Sequence, residues 1–139
     1  MKYLLDTCVI SELVAKRPEP EVVKWIDSID PATSFLSVIT LGEIRKGIEK
    51  LPASDRKSTL QIWLRDELPI MFSGRILPID IPVALRWGQL IGELEGEGKT
   101  MAAIDSLIAA TALNQHCRLV TRNINDFKHA GVSLFSPWP

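Results

Sequence analysis

Short apolar runs alternate along this chain with stretches in which apolar residues recur every three or four positions, and that alternation predicts its elements. Residues 2–5 form the first run, stop at Asp6 and read as a buried strand. Behind a proline-rich start, Val22, Trp25, Ile26 and Ile29 stand at helical spacing and predict a helix over 18–29. Residues 33–38 make a second strand. Leu41, Ile44, Ile48 and Leu51 give a helical stripe directly after it, closed at 52–54. A helix over 58–68 turns Leu60, Trp63 and Leu64 inward, and 75–79 is the third strand. Asp80 then precedes Pro82 and the stripe Val83, Trp87, Leu90, Ile91 and Leu94, a regular helix start, and Gly96 and Gly98 end that helix. A helix over 101–113, a strand at 118–120 and a short strand over 132–135 follow. Strands separated by helices imply an α/β fold: a mostly parallel sheet with helices on both faces, whose ligands gather at the carboxyl ends of the strands.

Length and charge narrow the picture. The 139 residues suffice for one domain, 1–139, and no repeat, low-complexity tract or linker divides them. There are 16 Lys and Arg against 17 Asp and Glu, a net charge of -1, with 46% hydrophobic and 24% charged residues. That balance is typical of a folded protein and excludes both a disordered tail and a basic nucleic-acid coat. Asp6 interrupts the first apolar run too early for a signal peptide, and no run approaches the roughly 20 residues of a membrane span, so a cytoplasmic protein without a membrane partner is expected. Cys8 and Cys117 lie far apart and indicate neither a disulfide framework nor a zinc site.

The placement of the acids carries the chemistry. Asp6 ends the first strand, where a ligand-binding group is expected, although a lone Asp there is also a common cap. The helix over 101–113 is apolar or small nearly all round, which marks an enclosed helix, and Asp105 is its only charge. A carboxylate in such surroundings needs a cation, donors or an ion-pair partner such as Arg122. Glu43 stands one turn into the helix after the second strand, and Gly47, four residues on, leaves the same face uncrowded. Asp126 closely follows the fourth strand in Thr121-Arg122-Asn123-Ile124-Asn125-Asp126-Phe127. Each of the four acids follows a different strand, and parallel strands bring their carboxyl ends to one rim. Acids crowded there cannot all stay ionised without cations. Oxygen ligands with no His or Cys cluster select hard divalent ions such as Mg²⁺ or Mn²⁺. Such a site suits phosphodiester hydrolysis, in which one ion lowers the pKa of an attacking water and a second stabilises the leaving oxygen. His116 and His129 have no part in that chemistry and are expected on the surface.

The segments 5–12 (Leu-Asp-Thr-Cys-Val-Ile-Ser-Glu), 37–44 (Ser-Val-Ile-Thr-Leu-Gly-Glu-Ile), 105–112 (Asp-Ser-Leu-Ile-Ala-Ala-Thr-Ala) and 121–127 together resemble PIN-domain ribonucleases. The likeness is strongest to the VapC and FitB-like toxins of type II toxin-antitoxin modules, and it extends to Phe135-Ser136-Pro137-Trp138. The resemblance implies a PIN-like, Rossmann-like three-layer sandwich with a central sheet of about four to five strands. It also implies a Mg²⁺- or Mn²⁺-dependent endoribonuclease, homodimeric, inhibited by a VapB-like antitoxin that binds DNA. Asp6, Glu43 and Asp105 match the first three acids of the family's metal-binding quartet. Asn123 stands where many members carry the fourth acid, with Asp126 one turn further on, and the fourth role falls to one of these two. Thr7 and Thr121 match the hydroxyls that bracket the site. Cys8 takes the place of a typical Asn. A thiol is a weak hydrogen-bond partner and a poor Mg²⁺ ligand, so Thr7 and Ser11 are expected to orient Asp6. Arg45, Lys46, Lys99 and Arg122 are the candidate holders of the RNA backbone.

Other readings use the same residues. A stand-alone PIN RNA-processing nuclease would carry the same acids, and a PIN binding module would have lost catalysis through Cys8 or Asn123. A covalent aspartyl phosphatase needs a second Asp two residues after the first, where this chain has Cys8. A nearly neutral nuclease with its acids on one rim should bind RNA poorly until divalent cations reverse the local sign.

Overall fold

The computed structural model describes all 139 residues, Met1–Pro139. Five strands, β1 (Tyr3–Leu5), β2 (Ser34–Ser37), β3 (Ile76–Leu77), β4 (Arg118–Val120) and β5 (Leu134–Phe135), form one sheet in the order β3-β2-β1-β4-β5. Every pairing is parallel. In register, Leu4 lies beside Phe35 and Leu119, and Leu119 beside Leu134; one residue on, Leu5 lies beside Val120 and Val120 beside Phe135. Side chains alternate across a strand, so these two rows enter different cores. Leu4 and Leu119 pack with Leu90, Leu94, Ile108 and Phe127, whereas Leu5 and Val120 pack with Val9, Ile10, Val22, Leu36 and Trp63. Burial on both faces is why β1 reads as a continuous apolar run.

Eight helices cover the sheet: α1 (Thr7–Glu12), α2 (Pro20–Ser28), α3 (Val38–Glu49), α4 (Asp55–Ile62), α5 (Leu68–Met71), α6 (Ile81–Gly96), α7 (Ala103–Gln115) and α8 (Ile124–Phe127). The Leu4 face is roofed by α6, α7 and α8, and the Leu5 face by α1, α2 and the stretch from α4 to α5. None of them is long and apolar enough to cross a membrane.

Local chemistry sets the boundaries. Asp80 caps α6 by accepting the Val83 N–H at 3.1 Å, and Pro82 occupies the first turn, where its missing amide costs nothing. Ser37 accepts the Ile39 N–H at 3.1 Å, so α3 opens at Val38, three residues ahead of its apolar stripe. Glu43 thus lies in the second turn of α3. The helix predicted over 58–68 is longer and irregular. It begins as α4, widens into a π-helical turn at Trp63–Glu67 and ends as α5. Pro69 lacks the amide that would bond to the Arg65 carbonyl, and the helix loosens just ahead of it. The helix carrying Asp105 is enclosed only from Ser106 onward, since Ala102, Ala103 and Ile104 are exposed. From β1 the chain builds outward through β2 to β3, then returns to β4 on the other side of β1. The strand order therefore reverses between β1 and β4, where open parallel sheets bind ligands.

Candidate active site

The register of β1 and β4 continues one residue past the strands and sets Asp6 opposite Thr121. The Asp6 N–H donates to the Val120 carbonyl at 2.9 Å, and Thr121 Oγ1 donates to Asp6 Oδ2 at 2.7 Å. The other carboxylate oxygen accepts the Thr7 N–H at 2.9 Å as Asp6 caps α1. Both oxygens are thereby fixed, and the residue is only 6% exposed. Asp6 thus stands at the carboxyl ends of the two central strands, on the side of the sheet that α7 covers.

Thr7 carries the arrangement to the next acid. Its hydroxyl donates to Glu43 Oε1 at 2.6 Å, with Thr40 Oγ1 a longer neighbour at 3.4 Å. Thr40 is fully buried one turn before Glu43 on α3, and that three-residue spacing is its signal in the sequence. Asp105 lies in the first turn of α7, and no hydrogen bond or ion pair reaches its carboxylate. Arg122, the ion-pair partner that the sequence offered as one alternative, is exposed, with its guanidinium 5.8 Å from the Trp138 ring centroid. Burial pushes the Asp105 carboxyl up to about 6, and the negative charges of Asp6, Asp126 and Glu43 add to the rise. Asp126 lies exposed in α8, while Asn123 precedes that helix and donates its N–H to Thr121 Oγ1 at 3.0 Å.

Asp105 therefore feels the other three acids, and none of the molecule's ion pairs involves any of the four. The gathering is loose: no three His, Cys, Asp or Glu side chains lie close enough to enclose an ion as they stand. The shared field and the open geometry are compatible, because charges interact over longer distances than coordination allows. An all-oxygen donor set with no cation of its own matches a hard divalent ion.

The PIN domain profile matches residues 3–132. Toxin FitB of Neisseria gonorrhoeae is 40% identical over 135 residues, 97% of each chain. This chain belongs to the PIN domain family. VapC ribonuclease Y4jK of Sinorhizobium fredii is 36% identical across 97% of this PIN domain and 96% of its own length. A solved structure of FitAB bound to an IR36 DNA fragment matches the fold with a TM-score of 0.91 at 39% identity, covering 99% of this chain and 96% of that one.

The remaining residues singled out in this PIN domain divide into those near the acids and those engaged elsewhere. Cys8 Sγ lies 3.8 Å from both Asp6 Oδ2 and Thr121 Oγ1 and accepts the Arg122 N–H at 3.4 Å. Burial, and secondarily the Asp6 charge, pushes this thiol up, so it stays protonated and is no anionic ligand. Ser11 does not orient Asp6. It is exposed on α1, its hydroxyl makes no hydrogen bond, and the Thr7 amide and Thr121 take that role. Arg45 pairs with Glu49 at 2.8 Å and Lys99 with Glu97 at 3.0 Å, whereas Lys46 is exposed and free of ion pairs. His116 and His129 are exposed, and His116 ends α7 in the left-handed region at φ 55°. From Thr7 and Glu43 a groove of about 370 Å³ runs between α1, α3 and α4, walled by Val14, Ile44, Leu60 and Trp63. Gly47 borders this groove, and a Cβ there would meet nothing within 4 Å, so the approach is open.

Proposed function

We infer that this PIN domain is an endoribonuclease, the toxin of a type II toxin-antitoxin module, that hydrolyses RNA phosphodiester bonds with Mg²⁺ or Mn²⁺ and is held inactive by a VapB-like, DNA-binding antitoxin. The observation that carries the reading is the field shared by Asp6, Glu43, Asp105 and Asp126 beside the carboxyl ends of β1 and β4, with no basic side chain to neutralise it. The relatives named toxin FitB and VapC ribonuclease support the toxin and nuclease roles, and the FitAB assembly on DNA supports the antitoxin.

In this reading Asp6, Glu43 and Asp105 hold the cation, and Asp126, whose charge reaches Asp105, supplies the fourth negative charge. Asn123 is the second candidate for that role through its amide oxygen. When bound, the cation lowers the pKa of an attacking water and offsets the charge of the scissile phosphate. The chain's own contribution is pre-orientation: Thr121 and the Thr7 amide lock Asp6, and the Thr7 hydroxyl locks Glu43, before any ligand arrives. Lys46 and Arg122 meet the RNA backbone directly. Arg45 and Lys99 first leave exposed ion pairs, which are worth about 1 kcal/mol or less. The groove beside Glu43 is mostly apolar and open, and an antitoxin segment seated in it would block the acids. Val38, Ile81, Leu85 and Ile104, all exposed apolar residues on the opening turns of α3, α6 and α7, support a homodimer formed near the same edge. The cytoplasm is the compartment where such a nuclease meets its RNA.

The test is RNA cleavage by the purified chain with added Mn²⁺ or Mg²⁺. Activity should vanish with EDTA and fall at least about 100-fold in Asp6→Asn, as expected for loss of a metal-holding carboxylate. Cleavage that survives both treatments would refute the proposal.

A further inference from the structure

The acids of the rim are held unequally. Asp6 receives three hydrogen bonds, one of them a long one from the Cys8 thiol, and Glu43 one, whereas the Asp105 carboxylate receives none. Asp105 is therefore aimed only by the helix turn that bears it. That turn is poorly anchored by the usual means: Ala102 offers no side-chain cap, residues 95–100 are exposed, and Ala102, Ala103 and Ile104 are exposed as well. Its one interior anchor is Ser106, fully buried and adjacent to Asp105. The Ser106 hydroxyl donates to the Ala103 carbonyl at 2.7 Å, and its oxygen accepts the indole N–H of Trp87, on α6, at 2.8 Å. A hydroxyl has one proton and two lone pairs, so both bonds form at once without competition. Trp87 thus reaches the opening turn of α7 from a separate helix, 19 residues earlier in the chain.

We propose that Trp87 is a positioning residue that acts through Ser106 to fix the first turn of α7 and aim Asp105 at the acidic rim. The proposal rests on the metal-holding role assigned to Asp105 above. Losing the indole N–H leaves the Ser106 oxygen short of a donor and frees the turn to fray, which spreads the directions Asp105 samples and weakens cation binding. Ordinary loss of packing between α6 and α7 would lower stability without acting through Asp105.

Calorimetric titration of the metal-free full chain with Mn²⁺ separates the two. Trp87→Phe, which keeps the ring and removes the donor, should weaken Mn²⁺ binding by about tenfold, the lower range for residues that orient a ligand. In an Asp105→Asn background the same substitution should leave the already weakened affinity unchanged, while lowering the melting temperature equally in both backgrounds. Ser106→Ala, the smaller change, should reproduce the effect, and the double variant should bind no more weakly than either single one. Unchanged affinity in folded Trp87→Phe and Ser106→Ala, or equal weakening in both backgrounds, overturns the positioning role. Full affinity in Asp105→Asn alone overturns the metal-holding role, and this inference with it.

Discussion

Asp105 is the acid whose surroundings most oppose its charge, and that opposition links its proton to folding. Its carboxyl titrates at about 6 in the folded protein against an ordinary value of 3.8. The folded state therefore holds a proton that the unfolded chain has already lost. The stability this contributes is fully present below about pH 4 and disappears as pH rises through about 6. The group is only partly buried, so solvent screening keeps the effect small. Metal-free wild type should lose melting temperature relative to Asp105→Asn between about pH 4 and pH 7. A difference that stays flat across that range, measured by thermal denaturation, would contradict the electrostatic account of the rim. At this scale the sequence singled out the acids that the fold brings into one field and concealed how they are held. Asp6 stood out because it ends an apolar run. The Thr7 to Glu43 bond joins residues 36 positions apart and leaves no local trace. Ser11 was expected to compensate for the weak Cys8 thiol, but it stands five residues from Asp6 and α1 turns it to solvent.

Among the elements, those with strong local chemistry could be read directly. The α6 start at Asp80 and Pro82 is one, and Asp80→Ala should cost about 1 kcal/mol of stability, seen as a lower denaturant midpoint at unchanged m-value. Cleavage in the folded fraction should be unaffected, since Asp80 stands outside the acid cluster. β4 was legible to the residue because it has a strand on each side and Leu119 and Val120 are buried in opposite cores, which leaves a short apolar run after Arg118. β3 was overestimated at five residues and pairs over two, because it lies at the sheet edge with β2 as its only neighbour. The helices α1 and α8, six and four residues long, were invisible, since one or two turns cannot display a 3.6-residue period. Both flank the site, so the elements hardest to read carry or adjoin several of its residues: Thr7, Cys8, Asn123 and Asp126.

For the whole molecule, charge that is nearly balanced in total is unevenly placed. The net charge is -1, yet four acids share one rim. RNA should consequently bind the metal-free protein weakly and the Mn²⁺-loaded protein tightly, with the difference read by filter binding of a cleavage-resistant RNA analogue to the wild-type protein with and without Mn²⁺. Tight binding by metal-free wild type would show that the basic residues alone suffice.

The hydrogen bond between Asp6 and Thr121 spans 115 residues. On the ribosome Asp6, Glu43 and Asp105 are all made before β4, the strand that brings Thr121 against Asp6. A nascent chain thus carries three acids of a nuclease whose first acid lacks its second clamp, and non-local pairing of this kind forms late. A chain stopped after Cys117 should bind no Mn²⁺ in calorimetry and leave growth unimpaired when expressed. The parallel topology acts as a delay: the site is completed only after β4 has been made, later than these three acids.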